Sequence, residues 1–156
     1  MVSLQARAVD DASAQRLLTE YFAMRGETFP AGQTYRPVFP TAAVFTPPAG
    51  IFYVLVDDDG KEAGCVGIRR IDDGEAGIRF EVKHLYVDPA GRGRGWGRLL
   101  LDGAEAQARE WGAAELVLDT HHTLRPAGAL YTRSGFTAIA PYNTNPNATR
   151  WYAKSL

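Results

Sequence analysis

The sequence has few of the residues that hold metals and disulfides. It contains one cysteine, Cys65, and three histidines among 156 residues. A single cysteine cannot form an intrachain disulfide, and it cannot anchor a zinc site by itself. Because Cys65 lies in the apolar run of residues 63–68, we expect its thiol to be buried and unreactive. We therefore predict no metal site.

The sequence also lacks a strong excess of charge and any long hydrophobic run. Its formal net charge is −1, and 22% of its residues are charged. A nearly neutral chain does not favour general binding to nucleic acid or to membrane surfaces, although a local basic patch is compatible with it. The first residues do not form a secretory signal, and no apolar run approaches the length of a membrane span. We expect a cytoplasmic protein.

Length and composition favour one globular domain over residues 1–156. Hydrophobic residues make up 46% of the chain, which is ordinary for a folded protein. A domain of this size buries roughly 70% of its unfolded surface, so it needs no disulfides or metals for stability. No internal repeat and no shift in composition divides the chain.

Hydrophobic periodicity and turn residues predict alternating strands and helices. The apolar runs between the turns at 57–60 and 72–75 predict an antiparallel meander over residues 51–87. Asp10 or Asp11 is positioned to cap the first helix. The predicted strands cover residues 2–9, 51–56, 63–71, 78–87, 115–119, 136–140 and 150–153. The predicted helices begin near residue 12 and cover residues 95–111 and 127–134, with Gly135 ending the last one.

Residues 25–50 break this periodicity. Prolines and glycines recur through the segment and exclude a long helix. Aromatic and apolar residues nevertheless persist, among them Phe29, Tyr35 and Phe45, and a disordered linker would be poorer in them. We predict a packed loop with room for a short helix. Ordered loops of this length are often functional.

The most informative feature is the glycine–arginine turn, residues 92–98, which reads RGRGWGR between a predicted strand and a predicted helix. Glycines allow close backbone approach, and the free N–H groups of a helix N-terminus bind anions. A P-loop is excluded because the chain has no Gly-Lys-Ser/Thr, and the glycine spacing does not fit G-x-G-x-x-G. A disordered RNA-binding tract would be repetitive, whereas this turn is a single copy joined to a helix.

Two motifs resemble signatures of the GNAT (Gcn5-related) N-acetyltransferase superfamily. Arg92-x-x-Gly95-x-Gly97, after a strand ending in residues 85–89, resembles its acyl-CoA loop. Ala129-Leu130-Tyr131-x3-Gly135-Phe136 resembles its second signature. The resemblance covers essentially the whole chain. It implies an α/β fold of the α+β type, with a mixed, mostly antiparallel sheet of about six to seven strands and helices on both faces.

This resemblance implies acetyl-CoA as the acyl donor. The coenzyme diphosphate would lie on the helix N-terminus, and the pantetheine amides would pair with the backbone of the preceding strand as an added strand does. Arginines of the turn would add charge-assisted bonds to phosphate. The expected cofactor-binding residues are Leu85, Tyr86, Val87, Arg92, Gly93, Arg94, Gly95, Trp96, Gly97 and Arg98.

Acetyl transfer to an amine needs a proton acceptor, a donor to the oxyanion and a proton for the departing thiolate. Glu81, placed by alternation on the same face as Leu85 and Val87, is the predicted base. Its alternative is a surface carboxylate paired with Lys83 or Arg79. His84, predicted on the opposite face, is a weaker candidate for the base. Tyr131 is the predicted acid, its alternative being a core tyrosine, and backbone N–H groups of residues 85–87 would bind the oxyanion.

The acceptor is expected to contact the first helix, the 25–50 loop and the C-terminal segment. Adjacent His121 and His122 would point apart in an extended segment, which does not favour a metal site, and they are expected at the active-site mouth. The segment Pro141-Tyr142-x-x-Asn145-Pro146 resembles one found in a bacterial GNAT subgroup of unassigned substrate. Its asparagines either bind substrate or hold a turn. The candidate substrate-binding residues are Arg25, Tyr35, Arg36, His122 and Asn143.

Two functions fit the sequence. The first is direct transfer of acetyl from acetyl-CoA to a primary amine of a small molecule or peptide, since Cys65 is far from the motif and no other cysteine supports a covalent intermediate. The second is a non-catalytic acyl-CoA sensor or interaction module. Both predict coenzyme A binding, and only Glu81 and Tyr131 favour catalysis. Dimers are common in the family, so the resemblance makes a homodimer a possible assembly, but the sequence shows no surface for it and does not determine the oligomeric state.

Overall fold

The strands and helices follow the predicted order, with boundaries displaced by a few residues. A computed structural model describes residues 1–156. The strands are β1 (Ser3–Ala6), β2 (Gly50–Val56), β3 (Glu62–Gly74), β4 (Gly77–Val87), β5 (Glu115–Thr120), β6 (Thr137–Ala138) and β7 (Arg150–Ser155). The helices are α1 (Ala12–Thr28), α2 (Trp96–Glu110) and α3 (Arg125–Arg133), and short 3-10 turns cover Ala42–Phe45 and Pro89–Gly91.

The seven strands form one sheet in the order β1-β2-β3-β4-β5-β7-β6. Every neighbouring pair is antiparallel except β4 and β5, which are parallel. The predicted mixed, mostly antiparallel sheet is confirmed, and so is the meander over residues 51–87. The single parallel pair requires a crossover, and α2 supplies it.

Helices cover both faces of the sheet, and each face has its own apolar core. On one face, Phe80 and Val82 of β4 pack with Leu100 of α2 and Tyr131 of α3. On the other face, α1 packs against a second cluster that includes Cys65 and Tyr86. Cys65 is fully buried, as predicted, and burial raises the pKa of its thiol. None of the helices is both long and apolar enough to cross a membrane.

Local signals set the helix ends. The Asp11 carboxylate accepts a hydrogen bond from the Ala14 N–H at 3.0 Å, so Asp11 is the predicted cap of α1. Gly135 follows α3 with φ 92°, the left-handed conformation that ends a helix. On α2, Leu101 is buried, whereas Leu99 is 39% exposed. The sheet contacts the side of α2 that carries residues 101, 104 and 108.

A bulge in β4 changes the direction of its side chains. Lys83 pairs with Gly67 and Tyr86 pairs with Cys65, so two residues of β4, His84 and Leu85, oppose one residue of β3. His84 has φ 58°, which is unusual for a residue other than glycine. The extra residue interrupts the alternation. Everything after it in β4 therefore lies on the face opposite to the one that simple alternation predicts.

Two predictions about β4 were wrong for this reason. Leu85 and Val87 pack with the α2 core, whereas Glu81 contacts Lys83 and Arg69, so Glu81 does not share their facing. His84 was predicted to point away from Glu81, but its ring contacts Tyr21 and Phe22 of α1.

Candidate active-site cleft

A cleft of about 1300 Å³ opens where β4 and β5 separate. The two strands pair only through Arg79–Glu81 and Glu115–Val117. Beyond these residues β4 has no partner strand on its β5 side, and Leu85, Tyr86 and Val87 line the cleft. This leaves an open strand edge beside a cavity, which is the arrangement that an extended ligand with amide groups requires.

The glycine–arginine turn forms one end of the cleft. The backbone N–H groups of residues 93–98 have no acceptor in the protein, and Leu99 is the first residue whose N–H bonds back along the chain, to the Gly95 carbonyl at 3.1 Å. Gly93 and Gly95 adopt φ values of 82° and 80°. Consecutive unpartnered N–H groups at the positive end of α2 make a binding site for an anion.

The arginines of the turn do not all face the cleft. Arg92 and Arg98 line it, and Arg98 also pairs with Asp102 at 2.9 Å. The guanidinium carbon of Arg94 lies over the Trp96 ring, 5.2 Å from its centroid, and Arg94 borders a separate hollow. The Arg94 side chain therefore does not line the cleft, and its contact with phosphate stays a prediction, whereas its backbone N–H is one of the unpartnered groups of the turn. Arg133 of α3 lines the cleft and was not predicted.

Trp96 holds the turn in place. Its ring is buried and packs so closely on Gly91 that a Cβ there would lie 2.2 Å from the ring. Gly91 is therefore required for this contact. Trp96, Gly93, Gly95 and Gly97 line the cleft together, so the structure brings most of the predicted cofactor residues to one place.

Tyr131 lines the cleft from α3. Its side chain is 6% exposed and packs against Phe136 and Tyr152, each with a ring centroid 6.0 Å away. Its hydroxyl makes no hydrogen bond to another residue. Burial raises the pKa of Tyr131 above its usual value, so the hydroxyl stays protonated at neutral pH. A protonated hydroxyl without a protein partner is available to a ligand in the cleft.

Glu81 is 1% exposed and does not line the cleft. Its Oε1 accepts hydrogen bonds from Nε and Nη2 of Arg69, both at 2.7 Å. Its Oε2 accepts from the Tyr142 hydroxyl at 2.6 Å, and the Lys83 ammonium lies 3.6 Å away. Of the alternative, a surface carboxylate paired with Lys83 or Arg79, only the ion pair with Lys83 is confirmed. Glu81 is buried rather than on the surface, and Arg79 donates to the Asp72 carbonyl instead. Glu81 is the buried centre of a charged network.

Asp119, at the end of β5, is the carboxylate that lines the cleft. It accepts hydrogen bonds from Lys83 at 2.9 Å, Asn143 at 2.7 Å and Asn145 at 3.1 Å. Burial alone would raise the pKa of Asp119, but the Lys83 ammonium and the Asn143 amide lower it below its usual value. It is ionised at neutral pH. Asp119 was not predicted from the sequence, although it is an acidic residue at the end of β5, the strand next to β4.

His84 lies in the bulge among aromatic rings. The ring centroids of Tyr21 and Phe22 are each 5.6 Å from the imidazole, and that of Phe45 is 5.8 Å away. Burial lowers the pKa of His84 to about 3, with further lowering by Lys83 and other nearby cations. The imidazole is therefore neutral at physiological pH and contributes an uncharged aromatic wall to the cleft.

This shift predicts a loss of stability in mild acid. The unfolded chain binds a proton at His84 below pH ~6.5, whereas the folded protein does not until about pH 3, so the free energy of unfolding falls as the pH decreases through this window. We expect a loss of about 2 kcal/mol between pH 8 and pH 5 from this residue. His84→Asn, which tolerates the left-handed backbone, removes that part of the slope.

Urea unfolding of both proteins at a series of pH values measures this difference. The pKa of His121 is also lowered, by burial and by His122. His121 contributes equally to the pH dependence of both proteins, so its contribution cancels when the two are compared. Identical slopes for wild type and His84→Asn above pH 5 would show that His84 titrates normally in the folded protein.

Four of the five candidate substrate-binding residues line the cleft: Arg25, Tyr35, Arg36 and Asn143. His122 does not, because its Nδ1 bonds to the Thr149 hydroxyl at 2.9 Å. The two histidine rings were predicted to point apart, but they stack with centroids 4.5 Å apart. They lie just beyond β5, where the backbone is no longer extended. No three histidine, cysteine or acidic side chains gather in a metal-binding cluster.

The hydrogen bonds of Asn143 hold the C-terminal segment in place. Its Oδ1 accepts hydrogen bonds from the Trp151 indole at 2.9 Å and from the Asn145 N–H at 3.2 Å. Its Nδ2 donates to Asp119. Asn147, further along the same segment, bonds to the backbone N–H and carbonyl of Arg36 at 3.2 and 2.8 Å. The C-terminal segment thus joins the loop after α1 to the end of β5.

Comparison with known proteins agrees with this geometry. Residues 14–136 match the model of the acetyltransferase (GNAT) family. An uncharacterized N-acetyltransferase of Schizosaccharomyces pombe is 39% identical over 65% of this chain and 61% of that protein. An IAA acetyltransferase of Azospirillum brasilense is 30% identical over 88% of this chain and 87% of that protein. This chain thus spans about three fifths of the first relative and most of the second.

Solved structures share the fold over the whole chain. A Klebsiella pneumoniae protein provisionally assigned as an acyl-CoA N-acyltransferase superposes with a TM-score of 0.76 at 30% identity, covering 100% of this chain and 98% of that one. A GNAT-family acetyltransferase from Staphylococcus aureus superposes with a TM-score of 0.80 at 18% identity, covering 99% of both chains, and it shows similarity of fold alone.

Proposed function

The chain belongs to the GNAT family of acetyltransferases, and on this basis we propose that it transfers the acetyl group of acetyl-CoA directly to a primary amine in the cleft. One observation carries the proposal. The unpartnered N–H groups of residues 93–98, the open edge of β4 and the unbonded Tyr131 hydroxyl all border the same cavity. A structural turn at a helix start would not need a cavity or an unbonded hydroxyl facing that cavity.

The residues present suit acyl-CoA. The N–H groups of residues 93–98, with Arg92 and Arg133, would hold the diphosphate, and the edge of β4 at Leu85–Val87 would hold the pantetheine amides. When bound, acetyl-CoA supplies a thioester whose C–S bond breaks as the amine nitrogen forms a C–N bond, the electron pair leaving on sulfur. Backbone N–H groups of β4 would stabilise the oxyanion.

The side chains divide the proton transfers. Tyr131 donates its phenolic proton to the departing sulfur. Asp119, ionised and lining the cleft, attracts the ammonium form of the acceptor. The ammonium loses one proton to water before it attacks, and the proton that the nitrogen loses after attack restores the Tyr131 phenol through water. Glu81, predicted from sequence as the base, becomes a positioning residue in this proposal, because it holds Arg69 and Lys83 and has no surface in the cleft. Lys83 in turn orients Asp119.

Thiol release from acetyl-CoA, measured with and without a panel of amines, tests this function. We expect amine-dependent release and a matching acetylated product by mass spectrometry. Binding of coenzyme A without any amine-dependent release across the panel would favour the non-catalytic module instead. Asp119→Asn is expected to lower the rate more than Glu81→Gln at equal coenzyme A affinity, because only Asp119 lines the cleft.

A further inference from the structure

The far end of the cleft from the glycine–arginine turn forms an acceptor arm, bounded by α1, by the 35–45 segment and by the 143–147 segment. Its walls are largely aromatic. The Phe22 and Phe39 rings are in edge contact with centroids 4.7 Å apart, and Phe39 is 46% exposed although it is a large apolar side chain. Val38 beside it is exposed as well. Exposed apolar groups that line a cavity favour an occupant with an apolar body.

Arg25 is the unusual charge in this arm. Its side chain is only 7% exposed, and it makes two hydrogen bonds, to the Tyr21 hydroxyl at 3.3 Å and to the Asn147 carbonyl at 3.0 Å. Both acceptors are neutral, and no carboxylate lies within ion-pair distance of the guanidinium. The Tyr35 ring lies 5.0 Å from the guanidinium carbon. Arg25 lines the cleft, so its remaining N–H donors are available there.

The structural contacts of Arg25 position its guanidinium but do not neutralise its charge. Arg25 lies in the last turn of α1, where the helix dipole favours a cation. That attraction is much smaller than the cost of burying a guanidinium without a counter-ion. Buried charges are normally paired, and the carboxylates nearby are already engaged: Glu81 with Arg69 and Asp119 with Lys83.

Arg36 adds a second positive charge that is not paired with a carboxylate. Arg36 lines the same arm and forms no ion pair. The Asn147 side chain makes two hydrogen bonds to the Arg36 backbone. Arg25 and Arg36 therefore leave this arm with positive charge that no protein group neutralises. The diphosphate end of the cleft has its own arginines, so this charge is not needed there.

We propose that the acceptor is an amino acid or a close analogue, with an aromatic or large apolar side chain, whose carboxylate binds Arg25. This rests on the proposed acetyl transfer and names the substrate class for it. The amine would lie toward Asp119, the carboxylate would take the unused donors of Arg25, and the side chain would pack on Phe22 and Phe39. A carboxylate accepts charge-assisted N–H bonds from a guanidinium, and Arg25 uses only two of its five donors within the protein.

Matched amine pairs test the proposal. We expect L-phenylalanine to exceed phenethylamine in kcat/KM by roughly 100-fold, because the pair differs only by the carboxylate, and we expect the same direction for L-tryptophan and tryptamine. Arg25→Gln is expected to abolish most of this preference, with the loss falling on the KM of the amino acid. Arg36→Gln, an exposed change, is expected to reduce the preference less. Arg16→Gln, on the exposed side of α1, is the control.

Coenzyme A affinity, measured by calorimetry, shows whether each variant still folds. Binding of N-acetyl-L-phenylalanine and of N-acetylphenethylamine in the presence of coenzyme A gives a second readout of the same preference. Turnover of the decarboxylated amines at an equal or higher rate in the wild type would overturn the carboxylate assignment and leave acetyl transfer standing. No turnover of any amine, with coenzyme A bound, would overturn both.

Discussion

Replacement of Gly95 by glutamate is expected to weaken coenzyme A binding by roughly 100-fold or more, equivalent to about 2.7 kcal/mol. Gly95 is the first residue before α2 and lies among the unpartnered N–H groups of residues 93–98. A glutamate there would place a negative charge where the diphosphate is proposed to bind, so the side chain and the ligand would repel each other. Isothermal titration calorimetry with coenzyme A measures the change.

Backbone strain needs its own control, because Gly95 has φ 80°. Gly112, just after α2, has φ 79°, and a Cβ at either glycine would meet no atom within 4 Å. Gly112→Glu therefore carries the same left-handed strain, on the order of 1–2 kcal/mol, and the same charge, but it lies away from the cleft. We expect its coenzyme A affinity to stay within about twofold of wild type. Equal affinity of both variants would remove the glycine–arginine turn from the site.

Removal of the Tyr131 hydroxyl, in Tyr131→Phe, is expected to lower kcat by about 100-fold and to leave coenzyme A affinity nearly unchanged. The ring supplies packing, and phenylalanine retains it, whereas only the hydroxyl can protonate the departing thiolate. General acids typically contribute 10²–10⁴-fold in rate. Steady-state thiol release at saturating acetyl-CoA, combined with calorimetry, separates the two effects.

Tyr152→Phe is the matched control. The Tyr152 ring lies 6.0 Å from that of Tyr131, and it does not line the cleft. The same hydroxyl deletion there is expected to change kcat by less than about twofold. A Tyr131→Phe enzyme as fast as wild type would show that another group, or water, protonates the thiolate, and Tyr131 would then be a core tyrosine.

The features of this fold that were predicted correctly are those set by residues close together in the sequence. The turn at residues 57–60, the Asp11 cap and the Gly135 stop each act within a few residues, so their signals lie in contiguous sequence. The turn predicted at residues 72–75 is instead a tight turn at residues 75–76, because β3 continues to Gly74. The glycine–arginine turn belongs to the same class. Its proposed binding groups are backbone N–H groups of one short segment, and a motif of glycines and arginines marks that segment directly.

The bulge at His84 could not be predicted in this way. It arises from the register between β3 and β4, where one residue of β3 opposes two of β4. A histidine gives no distinctive signal for positive φ, because only a few per cent of residues other than glycine adopt it and most histidines have negative φ. The missed bulge reversed the facing of Leu85 and Val87 relative to Glu81, which is why alternation placed Glu81 beside the cofactor edge.

The charged network was missed for a related reason. Arg69, Glu81, Asp119 and Tyr142 come from four separate segments and meet only because β3, β4 and β5 are adjacent and the segment before β7 returns over them. Single-sequence patterns carry no information on such contacts. The acceptor arm is built in the same way, from α1 and two distant loops, so its substrate preference follows from the assembled charges of Arg25 and Arg36.

Amide hydrogen exchange of residues 93–98, with and without coenzyme A, tests the central claim most directly. These N–H groups have no acceptor in the protein, so we expect them to exchange rapidly in the free protein. Their exchange is therefore measured with labelling times below one second. We predict that saturating coenzyme A slows their exchange by roughly tenfold or more, because the diphosphate accepts their hydrogen bonds. Coenzyme A binding with unchanged exchange at residues 93–98 would contradict the account.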